Sequence, residues 1–142
     1  MKRRTLTATL VAFLVAMLPL TLQAKVTHLL PKPHSITETK GTPFALGRAV
    51  TITDETNCEL LREIFTTNGC SITEGGARVT VTLVESIDGT YDYTLAGFEN
   101  EAYTISVTTD AINITAVKPT GVIRAAQTLA QLAEGYTGTP SI

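Results

Sequence analysis

Three short stretches alternate so regularly that they restrict the fold before any motif is considered. In Arg78 to Val84, Val79, Val81 and Leu83 alternate with Thr80 and Thr82. In Tyr103 to Thr108, Tyr103, Ile105 and Val107 alternate with Thr104, Ser106 and Thr108. In Ile112 to Ala116, Ile112, Ile114 and Ala116 alternate with Asn113 and Thr115. A period of two places apolar side chains on one face of a pleated sheet and hydroxyl side chains on the other. Such a sheet is covered on one side only. Threonine, 26 of the 142 residues, is β-branched and suits this role. The link Thr109-Asp110 predicts a tight hairpin between the last two strands.

The rest of the chain supplies the covering layer. Thr56 to Asn68 reads as a helix, with Thr56-Asn57-Cys58-Glu59 fitting a capping box and Asn68-Gly69 as the stop. Leu61, Ile64 and Phe65, with Cys58 and Leu60, form its apolar stripe. Thr120 to Glu134 reads as a second helix ended by Gly135. Val50 to Thr53 predicts a further short strand. Ser35 to Lys40 and Pro43 to Leu46 suggest a hairpin across Gly41. Leu29 to Pro33 is extended, because each proline biases its predecessor away from helix. The expected fold is α+β, a two-layer sandwich of a mostly antiparallel sheet with two helices packed on one face.

The second helix has a wide apolar arc. Val122, Ile123, Ala125, Ala126, Leu129, Ala130, Leu132 and Ala133 cover about half its circumference, whereas a helix lying on one sheet needs an arc nearer ~100°. Two readings stand: an Ala-rich helix whose small residues tolerate exposure, or contact with something besides the sheet. On the second reading Val122, Ala126, Leu129 and Ala133 meet the sheet. Ile123 and Ala130 at one flank, or Ala125 and Leu132 at the other, then remain accessible as a docking surface.

The amino terminus carries Lys2, Arg3 and Arg4, then the uncharged apolar run Leu6 to Leu22, then Gln23-Ala24. That order is the logic of a secretory signal peptide, residues 1–24, with the mature chain starting at Lys25. The alternative is an uncleaved membrane anchor; Pro19, the threonines and the shortness of the run disfavour it. Three of the eleven basic residues and none of the thirteen acids lie in this segment, leaving a mature chain of 118 residues near −5. An acidic exported chain repels nucleic-acid backbones and anionic membranes. The expectations are therefore an exported location, periplasmic or extracellular, no nucleic acid, and no membrane contact after cleavage. Residues 25–136 are expected to form one domain and 137–142 a linker or a cut end.

No catalytic constellation emerges from the residues. Asp54-Glu55 is the only consecutive acid pair, and both acids precede or open a helix, where negative charge complements the dipole. His28 and His34 flank a Pro-rich entry without Cys, Asp or Glu at ligand spacing. No G-x-S-x-G elbow occurs, and Gly75-Gly76 lacks the strand, lysine and helix of a phosphate loop. Asn113-Ile114-Thr115 matches a glycosylation triplet but sits within a predicted strand. Cys58 falls in the first turn of the first predicted helix and Cys70 just past its end. Ten or so helical residues span ~15 Å, beyond the ~7 Å that a disulfide allows, so both are read as buried thiols. The expected site inventory has no catalytic, cofactor-binding or metal residues and no cofactor.

Four segments, in order, carry a resemblance. They are Leu30-Pro31-Lys32-Pro33 with Phe44-Ala45-Leu46; Glu101-Ala102-Tyr103-Thr104-Ile105-Ser106-Val107; Ile112-Asn113-Ile114-Thr115-Ala116; and Gly121 through Leu132, which contains Gln127-Thr128-Leu129-Ala130-Gln131-Leu132. Together they resemble the N-terminal, non-catalytic domain of family-20 glycoside hydrolases, the β-N-acetylhexosaminidases. The resemblance spans roughly Leu29 to Leu132. Related domains also precede barrels in other glycosidase families.

The resemblance implies that catalysis belongs to a following (β/α)₈ barrel, through an Asp-Glu pair after a His-x-Gly-Gly stretch. Asp54-Glu55 lacks that context. A barrel needs about 250 residues, so a fragment, a truncated frame or a freestanding domain is expected, inactive alone. The implied partner is the barrel in cis, with glycan reached only through it. The surface expected to meet it is Ile123, Ala125, Ala130 and Leu132. The rival reading is a stand-alone carbohydrate-binding or protein-interaction module using the Thr-rich face. The absence of Trp counts against sugar stacking.

Overall fold

A computed structural model describes residues 29–88 and 98–134. The predicted signal segment 1–24, His28 and the tail 137–142 lie outside the described residues. The elements are β1 (Ala49–Thr53), α1 (Glu59–Thr67), β2 (Ser71–Ile72), β3 (Ala77–Leu83), a 3₁₀ turn (Glu99–Glu101), β4 (Tyr103–Val107), β5 (Ala111–Ala116) and α2 (Pro119–Glu134). They form one five-stranded sheet in the order β2-β1-β3-β5-β4.

The α+β class and the two layers agree with expectation, but the orientation of the strands does not. β1 pairs parallel with β2 and with β3, and β3 pairs parallel with β5. Only β4 and β5 are antiparallel, across the expected hairpin. The expectation of a mostly antiparallel sheet is thus corrected. The reason is connection length: α1 lies between β1 and β2, and such a crossover returns the chain to the same edge. The predicted hairpin over residues 35–46 also does not form. Those residues make no strand longer than a single bridge at Ala45.

Register explains the core. Ile52 lies beside Val79, Val79 beside Ile112, Val81 beside Ile114, and Ile105 beside Ile114. Val50, Val79, Ile112, Ile114 and Ala116 are fully buried, facing Leu61 and Phe65 of α1 and Val122, Ala126 and Leu129 of α2. Phe44 and Leu46 of the entry segment join the same core. Leu83 departs from its expected inward role and is exposed. It pairs with Ala116 at the very end of the sheet. Tyr103, Ile105 and Val107 are half-buried in the terminal strand of the order.

Candidate functional site

Both helices begin at one edge of the sheet, because β1 and β5 are each parallel to β3 and each feeds a helix. The carboxyl edge of parallel strands is where ligands bind in α/β folds. Here that edge holds an open groove of ≈ 340 Å³ lined by Thr56, Asn57, Cys58, Glu59, Leu60, Pro119 and Ile123. The backbone donors beside it are already engaged. Buried Asp54 accepts hydrogen bonds from the Thr56 N–H (2.8 Å), the Thr56 hydroxyl (2.6 Å) and the Cys58 N–H (2.8 Å). The chain's own carboxylate thus occupies the position an anionic ligand would seek.

This arrangement replaces the predicted capping box. α1 starts at Glu59, Cys58 is its N-cap, and no N-cap side chain bonds to the helix. Asp54 organises the turn from outside, with Asn57 at a φ of 52°. The reading of Asp54 as a helix-opening carboxylate agrees with this geometry; Glu55 is exposed. Cys58 and Cys70 are free, buried thiols, and Cys70 Sγ accepts the Gly47 N–H at 3.3 Å. His34 is exposed. Among the described residues no group of His, Cys, Asp or Glu could hold a metal, and no helix is long and apolar enough to cross a membrane.

The segment Gly121 to Leu132 turns inward on its own domain. A Cβ at Gly121 would stand 2.7 Å from the Ala102 carbonyl oxygen, so only glycine lets α2 approach the chain entering β4. Arg124 donates to both carboxylate oxygens of Glu101, at 2.8 and 3.2 Å, and to Gln127 Oε1 at 3.2 Å. Those hydrogen bonds hold the Glu101 carboxyl below its ordinary value and raise that of Arg124. Thr128, buried, shares a 2.7 Å hydrogen bond with the Tyr103 hydroxyl. Gln131 Oε1 accepts the Leu30 N–H and its Nε2 donates to the Leu30 carbonyl, both at 2.8 Å. Each polar position of this motif therefore has a structural partner. The sequence offered no sign of the distant pairings, whose partners lie 23 to 101 residues away; the Arg124–Gln127 contact follows from i,i+3 helix spacing.

The four residues expected to form a docking surface separate. Ile123 is 44% exposed and opens into the groove, and Ala130 on the same flank is half-buried. Ala125 is fully buried, which removes it from any accessible surface. Leu132 is half-buried. The buried arc is rotated toward Gly121, Ala125 and Thr128, because the 3₁₀ turn and β4 pack against that side of α2. The flank left open is the Ile123 side.

The family model of glycosyl hydrolase family 20, domain 2, matches residues 26–141. No curated protein sequence matches the chain. The solved GH20 β-N-acetylhexosaminidase of Streptomyces coelicolor A3(2) is similar at 20% identity with a TM-score of 0.48. That match covers 74% of this chain and 23% of that one. With all its described residues inside the family match, the chain belongs to glycosyl hydrolase family 20 as its domain 2, a non-catalytic accessory domain of a glycosidase.

Proposed function

We propose that this chain is the N-terminal accessory domain of an exported β-N-acetylhexosaminidase, which removes terminal N-acetylhexosamine from glycans. In this reading the domain packs on a catalytic (β/α)₈ barrel and stabilises it. Domain 2 of this family normally accompanies such a barrel in the same chain. The observation that carries the reading is the family match over residues 26–141. The site geometry supports it: the motif of α2 serves internal packing, and the backbone donors at the ligand-prone edge are already taken by Asp54. The open apolar flank at Ile123, continued by half-buried Ala130, is the surface this reading gives to the barrel; Leu132 lies on the opposite side of the helix, against the core. Export rests on the order of charge, apolar run and small residue within 1–24.

The test supplies a family-20 catalytic barrel as a separate chain and measures its melting temperature. The accessory reading expects this domain to raise that temperature and Ile123→Asp to abolish the effect. It also expects no release of chromophore from an aryl N-acetylglucosaminide by the domain alone. Turnover by the purified chain, lost on Glu55→Gln, would overturn the reading.

A further inference from the structure

The layer opposite the helices has no part in the packing just assigned. Its side chains follow from register. Thr53 lies beside Thr80, Thr80 beside Asn113, and Asn113 beside Ser106. In the next row Thr82 lies beside Thr115 and Thr115 beside Thr104. Seven hydroxyl and amide groups thus form two rows over four strands. Neighbouring strands stand about 4.8 Å apart, and rows about 6.6 Å apart.

Two further observations set this face apart. The first concerns hydrogen bonding. Thr51, Thr56, Thr66, Thr108, Thr109, Thr120 and Thr128 all use their hydroxyls within the fold. None of the seven groups in the two rows has a side-chain hydrogen bond to the described residues. The second concerns charge. The chain holds thirteen acids, yet the five strands carry no carboxylate and no lysine, and Arg78 is their only charged residue. A solvated surface ordinarily mixes charges of both signs at roughly 25–35% of its residues.

We infer that this open face of the sheet is a binding surface for a neutral, hydroxyl-bearing polysaccharide. The charge pattern selects that partner. A polyanion would find a single arginine, a polycation no carboxylate, and an apolar partner would strip water from seven polar groups. A neutral glycan offers hydroxyl and amide groups that both donate and accept, as threonine does. Each such bond alone changes affinity by only about two- to twelvefold. Without aromatic stacking, retention depends on many bonds formed together on an extended surface. The face lies on the layer away from α1 and α2, so it stays open when the helices meet a barrel. The inference does not depend on that docking.

The experiment mixes the purified chain with insoluble chitin, a neutral N-acetylglucosamine polymer, and with beads of alginate, a polyanion. It measures the pelleted fraction at low and high salt. The expected result is retention on chitin, insensitive to salt, and none on alginate. Thr82→Glu and Ser106→Glu place a carboxylate in the two rows and should each weaken retention about tenfold. Ser106→Ala removes one hydroxyl at an exposed position and should weaken it several-fold. Glu63→Gln, on α1, should leave it unchanged. Circular dichroism melts show which variants are folded, and Ser106→Ala keeps the test open if a glutamate variant unfolds. Folded wild-type chain left in the supernatant overturns the inference. So does retention that the row variants do not reduce, or retention that tracks self-association in sedimentation.

Discussion

The side-chain amide of Gln131 bonds both backbone polar groups of Leu30, which lies 101 residues earlier in the chain. Leu30 itself is 76% exposed, so its side chain contributes little burial there. The amide is what fastens the entry segment to α2. Gln131→Leu removes both bonds and should cost about 1–2 kcal/mol. The loss should be local first. Amide exchange at Leu30 should accelerate well before the core amides respond, which hydrogen-exchange mass spectrometry can follow.

Gly121→Ala forces a methyl group to 2.7 Å from the Ala102 carbonyl oxygen and 3.1 Å from the Ala116 Cβ. Backbone cannot give way as a flexible side chain would. The expected loss is about 1–3 kcal/mol by overpacking, even though alanine is the better helix former. Chemical denaturation with an unchanged slope checks it.

Leu129 and Ile123 sit on one helix with opposite roles. Leu129 is fully buried, and Leu129→Ala should cost about 2–5 kcal/mol. Ile123→Asp changes an exposed position and should leave the melting temperature of the isolated domain within a few degrees. A fall for Ile123→Asp equal to that for Leu129→Ala would mean that the Ile123 flank is core.

The Glu101–Arg124 pair sets an acid limb. The ordinary value for Glu101 is 4.5, and hydrogen bonds from Arg124 lower it in the folded state. The stabilisation is therefore complete above about pH 4.5 and is lost as pH falls through the lowered value. Glu101→Gln should flatten the fall of melting temperature below that pH and leave the neutral range nearly unaffected. A pH series of thermal melts on both proteins measures the difference.

Export predicts a mature N-terminus at or within a few residues of Lys25. Intact-mass spectrometry of secreted material checks it, and a chain that retains Met1 would reject cleavage.

The sheet's polar and apolar faces were legible because alternation survives any strand order: Val79, Val81, Ile112 and Ile114 point inward in a parallel or an antiparallel sheet alike. Orientation was harder. A two-residue strand, Ser71–Ile72, carries too little pattern to announce itself, so the β1-α1-β2 crossover was missed. The helix between two strand patterns was the available signal. The capping box failed for a related reason. Its residues match, but Asp54, two residues upstream, takes the Thr56 and Cys58 N–H groups first. In α2 the expected line of Val122, Ala126, Leu129 and Ala133 is buried, and the burial extends to Gly121, Ala125 and Thr128 on one side. Tyr103, Ala102 and Glu101 meet it from a segment whose contacts no periodicity in α2 could reveal.

The Gln131–Leu30 pair has an architectural consequence. It joins the point where the chain enters the domain to the last turns before it leaves. Neither end of the described fold can then loosen by itself: peeling the entry segment frees the Gln131 amide, and fraying the last turns of α2 frees the Leu30 backbone, so the two ends open as one unit.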